Sequence, residues 1–111
     1  MSETALSRAI REAVNLSGLA VVWRAQAGRV RVAGGWMRLA PPGMPDLVGY
    51  LSDGTGRFVA IEVKVPGHRT DRSRRGTQQA WRERIAQAGG VALEVESAAQ
   101  AVREVGGAWR R

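Results

Sequence analysis

The chain opens on a helical rhythm. Leu6, Ala9, Ile10, Ala13 and Val14 recur at spacings of three and four and form one apolar stripe, which predicts a helix over 3–17 closed by Gly18. The pattern then changes. Val21, Val22 and Trp23 give 19–25 the composition of a strand, Gly28 breaks it, and 29–32 reads as a further hairpin arm. Residues 34–45 hold three prolines and three glycines and read as a loop. Two strands, over 46–51 and 58–65, flank Ser52-Asp53-Gly54-Thr55-Gly56, a sequence suited to a hairpin turn. Pro66-Gly67 stops the second strand, and 68–76 is hydrophilic. A helix over 77–88 closed by Gly89-Gly90, a short strand over 91–95, and a helix over 98–105 capped by Ser97 complete the order. This succession predicts an α/β fold, a mixed central sheet flanked by helices, as one domain over 1–111.

The strand over 58–65 carries the most chemistry. Side chains alternate faces along a strand, so Val59, Ile61, Val63 and Val65 make one apolar face while Glu62 and Lys64 share the other. A solvated pair of opposite charges on a half-exposed strand is the plain explanation. Asp46 argues for more. It begins the strand before the turn, and antiparallel pairing brings that start beside the end that carries Glu62 and Lys64. Two adjacent carboxylates make a hard-oxygen site suited to Mg²⁺ or Mn²⁺. A neighbouring ammonium can orient a water and offset charge that develops during hydrolysis. Lysine suits that task better than arginine, because its pKa can be depressed.

Charge adds a partner to this picture. Seventeen basic residues against ten acidic ones give a net +7 over 111 residues, an excess that favours a polyanion. Lys64 is the sole lysine among them. Arg69, Arg72, Arg74 and Arg75 follow the chemical strand directly and suit phosphate contacts, and Arg38 lies near Trp36 in the proline-glycine segment. Trp23 and Trp81 are expected in the core, with Trp36 and Trp109 as contacts to DNA or a second subunit. Cysteine is absent, which removes thiolate chemistry, and His68 is the sole histidine. No apolar run approaches membrane-spanning length, so no membrane contact is expected. Asp53-Gly54-Thr55-Gly56 lacks the lysine and following helix of a phosphate loop, so no nucleotide cofactor is expected.

Pro45-Asp46 followed by Glu62-Val63-Lys64 matches the core motif of the PD-(D/E)xK nucleases, and the chain resembles a stand-alone VRR-NUC domain of that superfamily. The likeness continues through Gly43-Met44-Pro45-Asp46-Leu47, through Gln78-Gln79-Ala80-Trp81, and through Gly89-Gly90-Val91 and Val95-Glu96-Ser97, and runs from about Glu3 to Val105. It implies a restriction-endonuclease-like core and a Mg²⁺- or Mn²⁺-dependent endonuclease. Asp46 and Glu62 would be metal ligands with the Val63 carbonyl, Lys64 would position or deprotonate the attacking water, and Gln78 would sit beside them. An acidic residue of the first helix often completes such sites. Glu3 is the choice here, because it lies on the apolar stripe and Glu12 points away from it. The resemblance further implies DNA as substrate, a homodimer, a preference for branched DNA such as a Holliday junction, and the cytoplasm of a bacterial or phage-infected cell. Two segments depart from the family pattern: Arg75-Gly76-Thr77 stands where a Ser/Thr-Pro pair often begins the glutamine helix, and 24–28 lacks the usual asparagines. The alternatives are a basic nucleic-acid-binding module without catalysis, and an adaptor that uses its tryptophans.

Overall fold

In the computed structural model, residues 1–25, 29–68 and 71–109 are described. Their elements run α1 (Glu3–Ser17), β1 (Ala20–Arg24), β2 (Arg29–Val32), β3 (Gly35–Arg38), β4 (Leu47–Leu51), β5 (Phe58–Val63), α2 (Arg72–Gln87), β6 (Val91–Val95) and α3 (Ala98–Gly107). Strands β1, β4, β5 and β6 lie side by side in that order. β4 is antiparallel to both β1 and β5, and β6 is parallel to β5, with α2 as the crossover. The sheet is therefore mixed, as the sequence predicts.

The helix boundaries have local causes. Ser2 caps α1 by accepting from the Ala5 N–H, and Gly18 ends it in the left-handed conformation at φ 75°. Ser97 caps α3 in the same way through Gln100 N. The core lies between the sheet and the α1–α3 pair, where Leu6, Ile10, Val14, Val105 and Ala101 meet Val22, Leu47, Leu51, Val59, Ile61 and Val95. Helix α2 packs on the other face, mainly over β5 and β6.

That partial cover corrects the placement of the tryptophans. Trp23 stays 49% exposed at the β1–β4 end of the sheet, beyond the reach of α2, against the edge of Tyr50. Trp109, expected at a surface contact, instead packs on the core and donates its indole N–H to Leu19 O at 2.8 Å. Trp81 is half-buried and donates to Pro42 O at 3.1 Å. Trp36 is 63% exposed.

Two further boundaries differ from those the sequence predicts. Residues 35–38, read as loop, form β3 and pair with β2 in a separate two-stranded sheet. Helix α2 begins at Arg72 rather than near residue 77, because Asp71 caps it by accepting from Arg74 N at 3.1 Å. Arg69 lies outside the described residues.

Gly49 is fixed by close approach. It pairs with Val22, and a Cβ there would collide with the carbonyl oxygen of Val21, which is backbone and cannot swing away. Gly49→Ala is expected to cost about 1–3 kcal/mol or more, roughly 5–15 °C in Tm for a domain of this size, read by thermal unfolding. An unchanged Tm would mean that β1 can slide off β4 without penalty.

Candidate active site

Pro45 ends the backbone ladder. It is fully buried and has no N–H to offer, so β4 starts only at Leu47, opposite Ile61. Asp46 therefore lies opposite Glu62, one step past the last paired residues. Its carboxylate takes the place of the missing strand and accepts the Val63 N–H at 2.7 Å. Its own carbonyl accepts from Ala25 N at 2.9 Å, which ties it to the end of β1. An extended residue directs its N–H and C=O to the same neighbouring strand. The Val63 carbonyl therefore also faces the side on which Asp46 lies.

Glu62 sits under α2 and is only 3% exposed. A solvated surface carboxylate, the plain explanation of the Glu62–Lys64 pair, is thus excluded for Glu62. One of its oxygens, Oε1, accepts from Gln78 Nε2 at 3.2 Å, while Oε2 is buried with no hydrogen-bond donor. Gln78, itself buried, turns its other end to the ammonium and accepts from Lys64 Nζ at 2.6 Å. The glutamine thus bridges carboxylate and lysine, with its donor on one and its acceptor on the other. Burial pushes the Glu62 carboxyl up to about 9; the neighbouring Asp46 carboxylate acts in the same direction, against the pull of Lys64 and Arg82.

An open cavity of about 540 Å³ meets this group and is lined by Glu3, Glu62, Lys64, His68, Arg74 and Gln78, among others. A second, of about 380 Å³, lies on the other side, where Glu3 and Asp46 meet Arg8, Arg11 and Arg24. Glu3 borders both, at the first turn of α1. Glu12 lines neither. The structure thus brings Asp46, Glu62, Val63, Lys64 and Gln78 together, with Glu3 across the opening. Among the described residues no three His, Cys, Asp or Glu side chains converge as a metal cage.

The arginines divide. Arg74 lines the first cavity and Arg75 an adjoining one with Lys64, Gln78 and Gln79. Arg72 begins α2 on the side of Trp81 and Arg84. Arg38 stands apart, on β3. Arg8, Arg11 and Arg24, beside Asp46, escape a sequence reading, because their approach to that carboxylate is made only by α1 packing against β1. His68, the sole histidine, lines the cavity with Glu62 and Lys64.

A mixed sheet with helices on both faces, carrying Asp and Glu-x-Lys at neighbouring strand ends, is a restriction-endonuclease-like core. One solved structure, described as a VRR_NUC domain, superposes with a TM-score of 0.58 at 21% sequence identity, covering 94% of this chain and 94% of the other. The chain therefore has the VRR-NUC fold. No family model matches the sequence, and no curated protein does so either.

Proposed function

We propose that this chain is a divalent-metal-dependent nuclease that hydrolyses DNA phosphodiester bonds. The observation that carries this reading is the buried, donorless Oε2 of Glu62 beside a second carboxylate. Burying a carboxylate without a partner costs several kcal/mol unless it is neutralised. A divalent cation would supply the missing partner of Glu62 Oε2 and a counter-charge to both carboxylates. Asp46, Glu62 and the Val63 carbonyl are the oxygen donors that would hold Mg²⁺ or Mn²⁺, while Glu3 borders the same cavity without converging on them. Mg²⁺ commonly binds through one or two carboxylates and keeps several waters, so a site with few protein ligands fits. When bound, the ion would polarise the scissile phosphate and lower the pKa of an attacking water.

The chain's own residues account for the rest. Lys64 positions the water and neutralises charge gathering on the phosphate. Gln78 keeps the ammonium from swinging onto Glu62, since it holds both by opposite ends of one amide. Arg8, Arg11 and Arg24 on one side, and Arg74 and Arg75 on the other, flank the carboxylates with positive charge where the DNA backbone would pass.

The finer reading is an endonuclease that acts as a homodimer and prefers branched DNA. A domain of 111 residues offers little surface to hold a duplex, which favours two copies. Among the described residues no helix is long and apolar enough to cross a membrane. The test is cleavage of linear duplex, single strand, flap and four-way junction with Mg²⁺, Mn²⁺ or EDTA. Cutting is expected only with metal, with the junction or flap cut fastest. Salt-sensitive binding without cutting under any condition would replace this reading with the non-catalytic binding module.

A further inference from the structure

The β2–β3 hairpin has no place in the catalytic account. Among the described residues it shares no extensive packing with the helices or the main sheet. Nearly all of its residues are exposed, although isolated two-stranded hairpins are only marginally stable. Its sequence nonetheless sorts cleanly by face. The register pairs Arg29 with Arg38, Val30 with Met37, Arg31 with Trp36 and Val32 with Gly35. Paired residues share a face and faces alternate along each strand. One face therefore carries Arg29, Arg31, Trp36 and Arg38. The other carries Val30, Val32 and Met37.

The basic face is held without internal compensation. Arg29 and Arg38 stand directly opposite each other, a like-charge pair that opposes hairpin formation. Residues 29–38 contain no Asp or Glu. Among the described residues none of these three arginines forms an ion pair. Trp36, one pair from the hairpin tip, adds an exposed indole to the same face. The hairpin is also anchored beside the carboxylates. The chain leaves the sheet after Ala25 and returns at Asp46, and the Ala25 N–H donates to the Asp46 carbonyl.

We propose that the β2–β3 hairpin is a DNA-gripping arm, whose Arg29, Arg31 and Arg38 lie on backbone phosphates of the duplex held at Asp46, with Trp36 against sugar or an exposed base. The commitment to a polyanion follows from the uncompensated charge. A two-stranded ribbon is narrow enough to enter the major groove. The proposal rests on the DNA reading above but not on catalysis.

The test is a triple variant, Arg29→Gln, Arg31→Gln and Arg38→Gln, which keeps a long polar side chain at each position and removes the like-charge pair. Binding to a fluorescein-labelled duplex is measured by anisotropy in EDTA across salt concentrations. Affinity is expected to fall on the order of a hundredfold at low salt, and the slope of log K against log salt to shrink by about 3, roughly 0.9 for each phosphate that an arginine no longer neutralises. Circular dichroism and Tm should hold, because the arm contributes nothing to the core. Trp36→Ala should weaken binding to a flap more than to a blunt duplex. Wild-type affinity and slope in the triple variant would overturn the assignment. So would a changed sedimentation coefficient with unchanged DNA binding, which would make the arm a protein interface. If wild type binds DNA through the arm yet cuts nothing with metal, the nuclease reading fails while the arm stands.

Discussion

Lys64→Ala should reduce metal-dependent DNA cleavage by about 10²–10⁴-fold, the range over which positioned proton-transfer groups act, while leaving binding and folding nearly unchanged. The side chain is half-buried and grips Gln78 rather than the core. Its removal therefore takes away a charge at the cavity without opening a hole in the packing. The loss should fall on kcat and little on KM, because the arginines around the carboxylates remain. Lys64→Arg should not rescue, since a guanidinium cannot surrender its proton and its planar fork does not fit the single Gln78 oxygen. Single-turnover cleavage with DNA binding measured in parallel separates the two. Activity within tenfold of wild type would remove Lys64 from the chemistry.

Glu62→Gln should flatten the pH dependence of stability and remove most of its metal dependence. In the metal-free protein the Glu62 carboxyl is raised from 4.5 to about 9, first by burial and then by Asp46. Between those values the folded chain holds a proton that the unfolded chain has released. Stability contributed by that group is complete below the unfolded value and is lost as pH rises toward the folded one. The slope approaches about 1.4 kcal/mol per pH unit where the difference is a full proton. Glutamine keeps the acceptor for Gln78 and supplies a permanent donor toward Asp46, so the variant should show a flatter profile. In EDTA at pH 8 it should melt above wild type. Added Mg²⁺ or Mn²⁺ should raise wild type by about 2.7 kcal/mol at a concentration 100 times Kd and the variant far less, so the order inverts. Thermal unfolding from pH 5 to 9, with and without metal, checks both halves. A wild-type Tm that is flat in EDTA and indifferent to metal would argue against a buried, cation-seeking carboxylate.

Several elements with local causes were determined by the sequence. The apolar stripe of α1, the alternation of β5 and the Asp-Gly turn before it each follow from spacing within a few residues. These fix the β4–β5 register, and the register alone sets Asp46 opposite Glu62. Gln78 was legible through the resemblance of Gln78-Gln79-Ala80-Trp81 to the family's glutamine helix. Local signals also misled. The arginines of the first turn of α2 oppose the helix dipole and so read as loop, yet the Asp71 cap starts the helix there. Gly34 and Gly35 hid β3, because no side-chain pattern announces a strand whose partner is the one before it.

Tertiary structure decided the rest. Whether Trp23 or Trp109 is buried depends on how much of the sheet α2 and α3 cover, which no window of sequence contains. The cluster of Arg8, Arg11 and Arg24 beside Asp46 joins a helix to a strand and exists only once they pack. The sequence could place Glu62 on a strand face, but only the cover of α2 makes that face dry. Burial turns an ordinary carboxylate into one that holds its proton to about 9 and leaves an oxygen without a partner.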